Sequence, residues 1–166
     1  EVKNILAIIA ESSGLLEELI ELSEKGMKVE IEKLHSINQS IMEEIGAVVD
    51  YLEELGYPYE EIGDLVWRVN NDVDGVDNII VSYNHPIVMF RINLMEVPKK
   101  KTEAFYRRLL ELNIGDLPHG AFGIDNDKVI LVDTLEAENL DFNEFQSSID
   151  ALSFAVSAFY EDLSEY

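Results

Sequence analysis

The residues from Pro86 to Glu96, PIVMFRINLME, carry the strictest pattern in this chain and set what it can become. Val88, Phe90, Ile92 and Leu94 fall on one side of an extended backbone, and Met89, Arg91, Asn93 and Met95 on the other. A period of two marks a strand with one buried face. The second face is mixed apolar and cationic, whereas a face meant for solvent carries Lys, Glu and Thr. Such a strand needs neighbours, and the sequence supplies them. Leu65, Trp67 and Val69 alternate with Val66, Arg68 and Asn70, and beyond the polar turn NNDVDGVDN, Ile79, Val81 and Tyr83 alternate with Ile80 and Ser82. The joins are too short for parallel crossovers, so these runs form an antiparallel meander. Further on, Phe122 and Ile124 answer Val129 and Leu131 across an Asp125–Lys128 turn.

Helical spacing brackets the strands. Residues 1–25 read as helix, in one piece or two, with Ser13 a cap before LLEELIEL and Gly26 the stop. Leu34, Ile37, Ile41, Ile45, Val48, Leu52 and Leu55 then recur at steps of three and four. They predict a second helix that opens at a Ser36–Gln39 capping box, or several residues earlier, and closes at Gly56 and Pro58. The pair makes a helical hairpin or a domain-swapping arm. Phe105, Leu109 and Leu112 predict a helix over 99–112, with an awkward start: Lys99, Lys100 and Lys101 oppose the positive end of its dipole. Asp141 and Glu144 predict a capped final helix with an apolar seam from Phe142 to Leu163.

These elements predict the α+β class. The expected architecture is a two-layer sandwich: an antiparallel five-stranded sheet with helices, in the order αβββαββα, plus an extra N-terminal helix. The expected division is a helical extension over 1–30 and a single α+β domain over 31–166.

Charge narrows the function. A formal net charge of −22 repels phosphate backbones and anionic lipid, so neither nucleic acid nor membrane is an expected partner. It favours basic polypeptides or cations, or simply a self-repelling surface. The apolar run Ile5–Ile9 is too short to span a bilayer and is flanked by Glu1 and Glu11, unlike a signal peptide. With no cysteine, disulfides and thiolate chemistry are excluded.

No catalytic constellation stands out. His35, His85 and His119 lie far apart, and there is no nucleophile elbow, phosphate loop or dinucleotide fingerprint. Carboxylates abound, but none is singled out by an apolar setting. The run Asn70-Asn71-Asp72-Val73-Asp74-Gly75 places oxygen donors at alternate positions before a glycine, like a calcium loop. Val81 stands where the bidentate glutamate belongs, and Asp-Gly is equally a hairpin signal. No cofactor and no metal are expected. Lys99, Lys100, Lys101, Arg107 and Arg108 are expected to pair with the chain's own carboxylates, within one copy or across a dimer.

The run NIIVSYNHPIVMFRINLMEVP, then LLELN, then LPHGAFGIDNDKVILVDTL and a helix after ENLD, resembles the YbjN family. That family is similar in fold to the class I, CesT-like type III secretion chaperones. The resemblance runs from about Ile41 to Leu163. It implies a non-enzymatic protein, often a homodimer, and in the secretion-chaperone branch one that binds an extended segment of a client polypeptide on apolar surface patches; a cytoplasmic, bacterial protein is expected. Candidate partner-binding residues are Val66, Ile80, Met89, Arg91 and Met95, the second face of the sheet. A regulatory or structural homodimer without a client is the alternative, and a small hydrolase or calcium binder the remote one.

Overall fold

A computed structural model describes the backbone of residues 2–166 and the side chains from Ser13 onward. The chain divides into two compact units, Glu1–Glu43 and Glu44–Tyr166. Helix α1 (Val2–Leu55) is a single helix, where two were expected. Glycine inside a helix costs about 1 kcal/mol relative to alanine, which a helix rich in Leu, Glu and Lys tolerates. Gly26 keeps helical backbone, as do Ser13 and Ser36, so neither serine caps anything. The stop falls at Gly56, whose φ of 68° is the left-handed conformation that ends a helix.

Six strands lie beyond it, one more than expected: β1 (Tyr59–Gly63), β2 (Val66–Asn71), β3 (Val76–Asn84), β4 (Ile87–Glu96), β5 (Ala121–Asp125) and β6 (Lys128–Glu136). Among the described residues they form one sheet in the order β1-β2-β3-β4-β6-β5, every pair antiparallel. The added strand, YEEIG, is exposed along its whole length. An edge strand with no buried side chain shows no alternation, so no period marks it. Helices α2 (Thr102–Gly115) and α3 (Phe142–Ser164) complete the order αββββαββα.

The helices of the 44–166 unit pack on the Trp67, Val81, Phe90 and Ile92 face, where these four residues are buried as their alternation requires. Phe145 of α3 meets Phe90 edge-on at 5.0 Å between ring centroids. Tyr51 of α1 lies against Phe145 at 5.6 Å, and its hydroxyl donates to the Leu140 carbonyl at 2.7 Å. Val48 and Leu52, on the same helix, are buried. The final helix starts as expected, with the Asp141–Glu144 capping box in place.

Helix α2 begins three residues later than expected, so Lys99 and Lys100 precede it and Lys101 is its N-cap. The lysines still stand at the positive end of its dipole, which Glu103 in the first turn offsets in part. Its Phe105, Leu109 and Leu112 are buried. Its Asn113 protects the sheet edge: the amide accepts from Phe122 N at 2.7 Å and donates to Phe122 O at 3.1 Å. An unpaired edge invites another strand, and this side chain occupies part of it. Gly120, at φ 76°, lets the chain pass β6, because a Cβ there would lie 2.8 Å from the Val132 carbonyl oxygen. Thus LLELN and LPHGAFGID meet as one structural device.

The loop between β2 and β3 is closed by Asn71, which is fully buried. Its Oδ1 accepts from the backbone of Val73 and Asp74, each at 3.1 Å. Its Nδ2 donates to Asp74 Oδ2 at 2.9 Å and to Ser153 Oγ of α3 at 3.0 Å. Among the described residues, no group of three or more His, Asp or Glu could hold a metal ion. The loop is a hairpin pinned to a helix by an amide. Replacing Asn71 by Ala should therefore cost about 2–3 kcal/mol, since it strands partners at both ends, and Ser153→Ala about 1 kcal/mol. Urea unfolding at constant m-value measures both. Added calcium should leave the melting temperature unchanged.

Candidate functional site

The strand register places the expected residues. One row crosses the sheet as Glu60↔Arg68↔Ile80↔Arg91↔Val132↔Ala121. A second runs Val66↔Ser82↔Met89↔Thr134. Paired residues share a face, so Val66, Ile80, Met89 and Arg91 are brought together opposite the Phe90 side. Met95 is not. The register shifts between Asn93 and Met95, and Met95 pairs with the buried Val129. One extra residue in a strand turns the residues beyond it to the other face, which strict alternation does not foresee.

The two arginines on this face are fastened sideways. Arg68 Nε donates to Glu60 Oε1 at 2.8 Å, and its terminal nitrogen bonds the same oxygen. Arg91 donates to Asp125 Oδ2 at 2.7 Å and to Asn93 Oδ1 at 3.1 Å. Ile80 sits between them in the row. Val66, Ile80 and Val132 are half-buried, and Met89 is 38% exposed. Together they form a shallow surface of aliphatic groups and methionine, with two anchored planar cations.

Two further features are not evident from sequence pattern. Leu110 and Ile114, four apart on α2, are 65% and 89% exposed. Their spacing is visible in the sequence, but it lies off the Phe105–Leu109–Leu112 face that dominates the pattern. The second is a polar cluster at the start of the 44–166 unit. The Tyr83 hydroxyl donates to Glu44 Oε2 at 2.7 Å, and His85 Nδ1 lies 3.0 Å from that oxygen. Burial, then the Glu44 contact, pushes the Tyr83 hydroxyl well above the usual tyrosine range. Of the basic residues around α2, Arg108 pairs with Asp162 of α3 at 2.8 Å, within one copy.

A family model, CesT_Tir_1, matches residues 39–166. The chain belongs to the CesT_Tir_1 family. Solved structures share its fold. A chain of the heterodimeric ExoU–SpcU complex, from the type III secretion system of Pseudomonas aeruginosa, matches with a TM-score of 0.59 at 16% identity, over 70% of this chain and 98% of that one. YbjN from E. coli matches at 0.56 and 14% identity, over 71% and 92%. A chain of the HopA1–SchA chaperone–effector complex matches at 0.52 and 11% identity, over 68% and 88%. No curated protein matches the sequence. The resemblance to YbjN and the CesT-like chaperones therefore holds at the level of fold.

Within the CesT_Tir_1 domain, one carboxyl is perturbed away from the sheet face. Partial burial, then the neighbouring Asp74, raises Asp150 above its ordinary value of 3.8. Burial and the same two carboxylates also raise the Tyr57 hydroxyl. A raised carboxyl means that the folded state binds protons more tightly than the unfolded one. Its ionisation therefore erodes stability as pH rises from 3.8 through the folded value, and the cost persists at neutral pH. Asp150→Asn should raise the melting temperature at pH 7. The gain should vanish below about pH 3.8, where Asp150 is protonated in both states.

Proposed function

We infer that this chain is a non-enzymatic, chaperone-like or adaptor protein that holds a polypeptide segment on the second face of its sheet. The observation that carries this reading is the convergence of Val66, Ile80, Met89 and Arg91 on one face, while the α3 and Tyr51 contacts lie on the other. Methionine suits a surface that must fit more than one shape. Anchored arginines add hydrogen-bond donors at low entropic cost. Membership of the CesT_Tir_1 family supports the reading, as does the fold shared with chains of a chaperone–effector complex and of a secretion-system heterodimer.

The reading includes a cytoplasmic homodimer, as the resemblance implies. Among the described residues no helix is long and apolar enough to cross a membrane. A dimer without a client is the second reading. The exposed Leu110 and Ile114 beside Arg107 favour it, since they offer apolar and charged contact to another copy.

Selection from a displayed library of short peptides tests client binding. Wild-type protein should enrich binders, and Met89→Asp should weaken them by roughly 2 kcal/mol, more than tenfold in Kd. Arg91→Glu should do the same for binders with acidic residues. Met89→Asp should melt close to wild type, because Met89 is 38% exposed. Binders that tolerate both substitutions would remove the sheet face from the function and leave the client-free dimer.

A further inference from the structure

The Glu1–Glu43 unit carries a second apolar surface, along α1. Met27, Ile31 and Leu34 are 59%, 59% and 61% exposed. With Asn38 and Ile41 they continue as Ile45, Val48, Leu52 and Leu55, at alternating steps of four and three. Every seventh position from Ile20 to Leu55 is apolar: Ile20, Met27, Leu34, Ile41, Val48 and Leu55. A straight helix turns about 20° away from a seven-residue line in each heptad. The line stays on one contact only if the helix winds around a partner helix.

We propose that a second copy of this chain docks along α1 at residues 27–42, as a parallel, in-register, two-stranded coiled coil. This deepens, and rests on, the self-pairing part of the function proposed above. Four observations choose that occupant. Ile31 stands at an a position with Leu34 at the following d, the combination that favours two strands. Asn38 is the lone polar residue at an a position within 27–55, the device that fixes register between identical helices. Flanking positions complement themselves: Glu30 at g faces His35 at e of the second copy, and Ile37 at g faces Met42. This last pair accounts for two exposed apolar side chains, 52% and 67%, that lie beside the seam. Finally, residues 25–42 hold three lysines against two glutamates, in a chain whose net charge is −22. Self-repulsion is weak along that stretch.

The chain has no cysteine, so single cysteines report on proximity without background. Cα atoms must approach within about 7 Å for a disulfide to form. Under mild oxidation, full-length Leu34→Cys should convert to a covalent dimer, and Ser36→Cys, at the outward f position, should stay monomeric on a denaturing gel. In sedimentation at physiological salt, wild type should run as a dimer, and Ile31→Glu with Leu34→Glu should halve the mass without altering the melting of the 44–166 unit. A dimeric wild type that resists the double substitution, gives no Leu34→Cys cross-link and falls apart with Leu110→Glu and Ile114→Glu would overturn this interface while leaving self-pairing intact. A monomeric wild type would overturn both, and would leave α1 to a helix of another protein.

Discussion

The pairing of β4 with β3 on one side and β6 on the other decides which side chains this protein hides and which it offers. From Ile87↔Glu136 to Asn93↔Ile130 the β4–β6 register is unbroken, and the β3 register is fixed alongside it. With a side-chain period of two, a slip of one residue would turn Arg91 into the core and Phe90 out of it. The slip would break the Phe90–Phe145 contact and bury a guanidinium without its Asp125 partner. Leaving a charge buried and unpaired costs about 3–5 kcal/mol, a large share of a domain's stability. The apolar core and the candidate site are two sides of one register.

Most of this was legible because burial writes a period into the sequence. Trp67, Val81, Phe90 and Ile92 are buried where their alternation puts them, and the capping box opens α3. The failures share one cause: a local rule overridden by something the local rule does not see. Strand β1 has no buried side chain, so its backbone pairing with β2 leaves no trace in residue type. Gly26 reads as a stop, but its neighbours on both sides propagate helix, and propagation outweighs a cost of about 1 kcal/mol. Met95 belongs to the correct strand and the wrong face, because a bulge adds a residue without altering composition. Met89 and Arg91 keep company with Val66 and Ile80 because they precede that bulge on β4.

The stretches that carry the resemblance to the YbjN family have a physical content separable from function. Asn113 closes the outward backbone of Phe122, and Gly120 permits the approach to Val132 that a side chain would block. Both act on the β5 edge, and neither lies in the Arg68–Ile80–Arg91 row. A sequence can therefore keep LLELN and LPHGAFGID to hold the fold while the opposite face of β2, β3 and β4 changes its chemistry.

Charge then sorts the apolar surfaces from one another. The net charge of −22 does not act as one sum, because at physiological salt the field of an exposed charge decays over about 8 Å. What an approaching partner meets is local. On the sheet face it meets two arginines, each already neighboured by a carboxylate, set among half-buried aliphatic groups and one methionine. Along residues 25–42 of α1 it meets nearly balanced charge beside a regular apolar line. Regularity demands a partner with matching regularity, whereas an irregular face with methionine accepts segments that differ. On the two proposals made above, one protein carries a surface for a fixed partner and a surface for a variable one, and the chemistry of each derives from the period of the element that bears it.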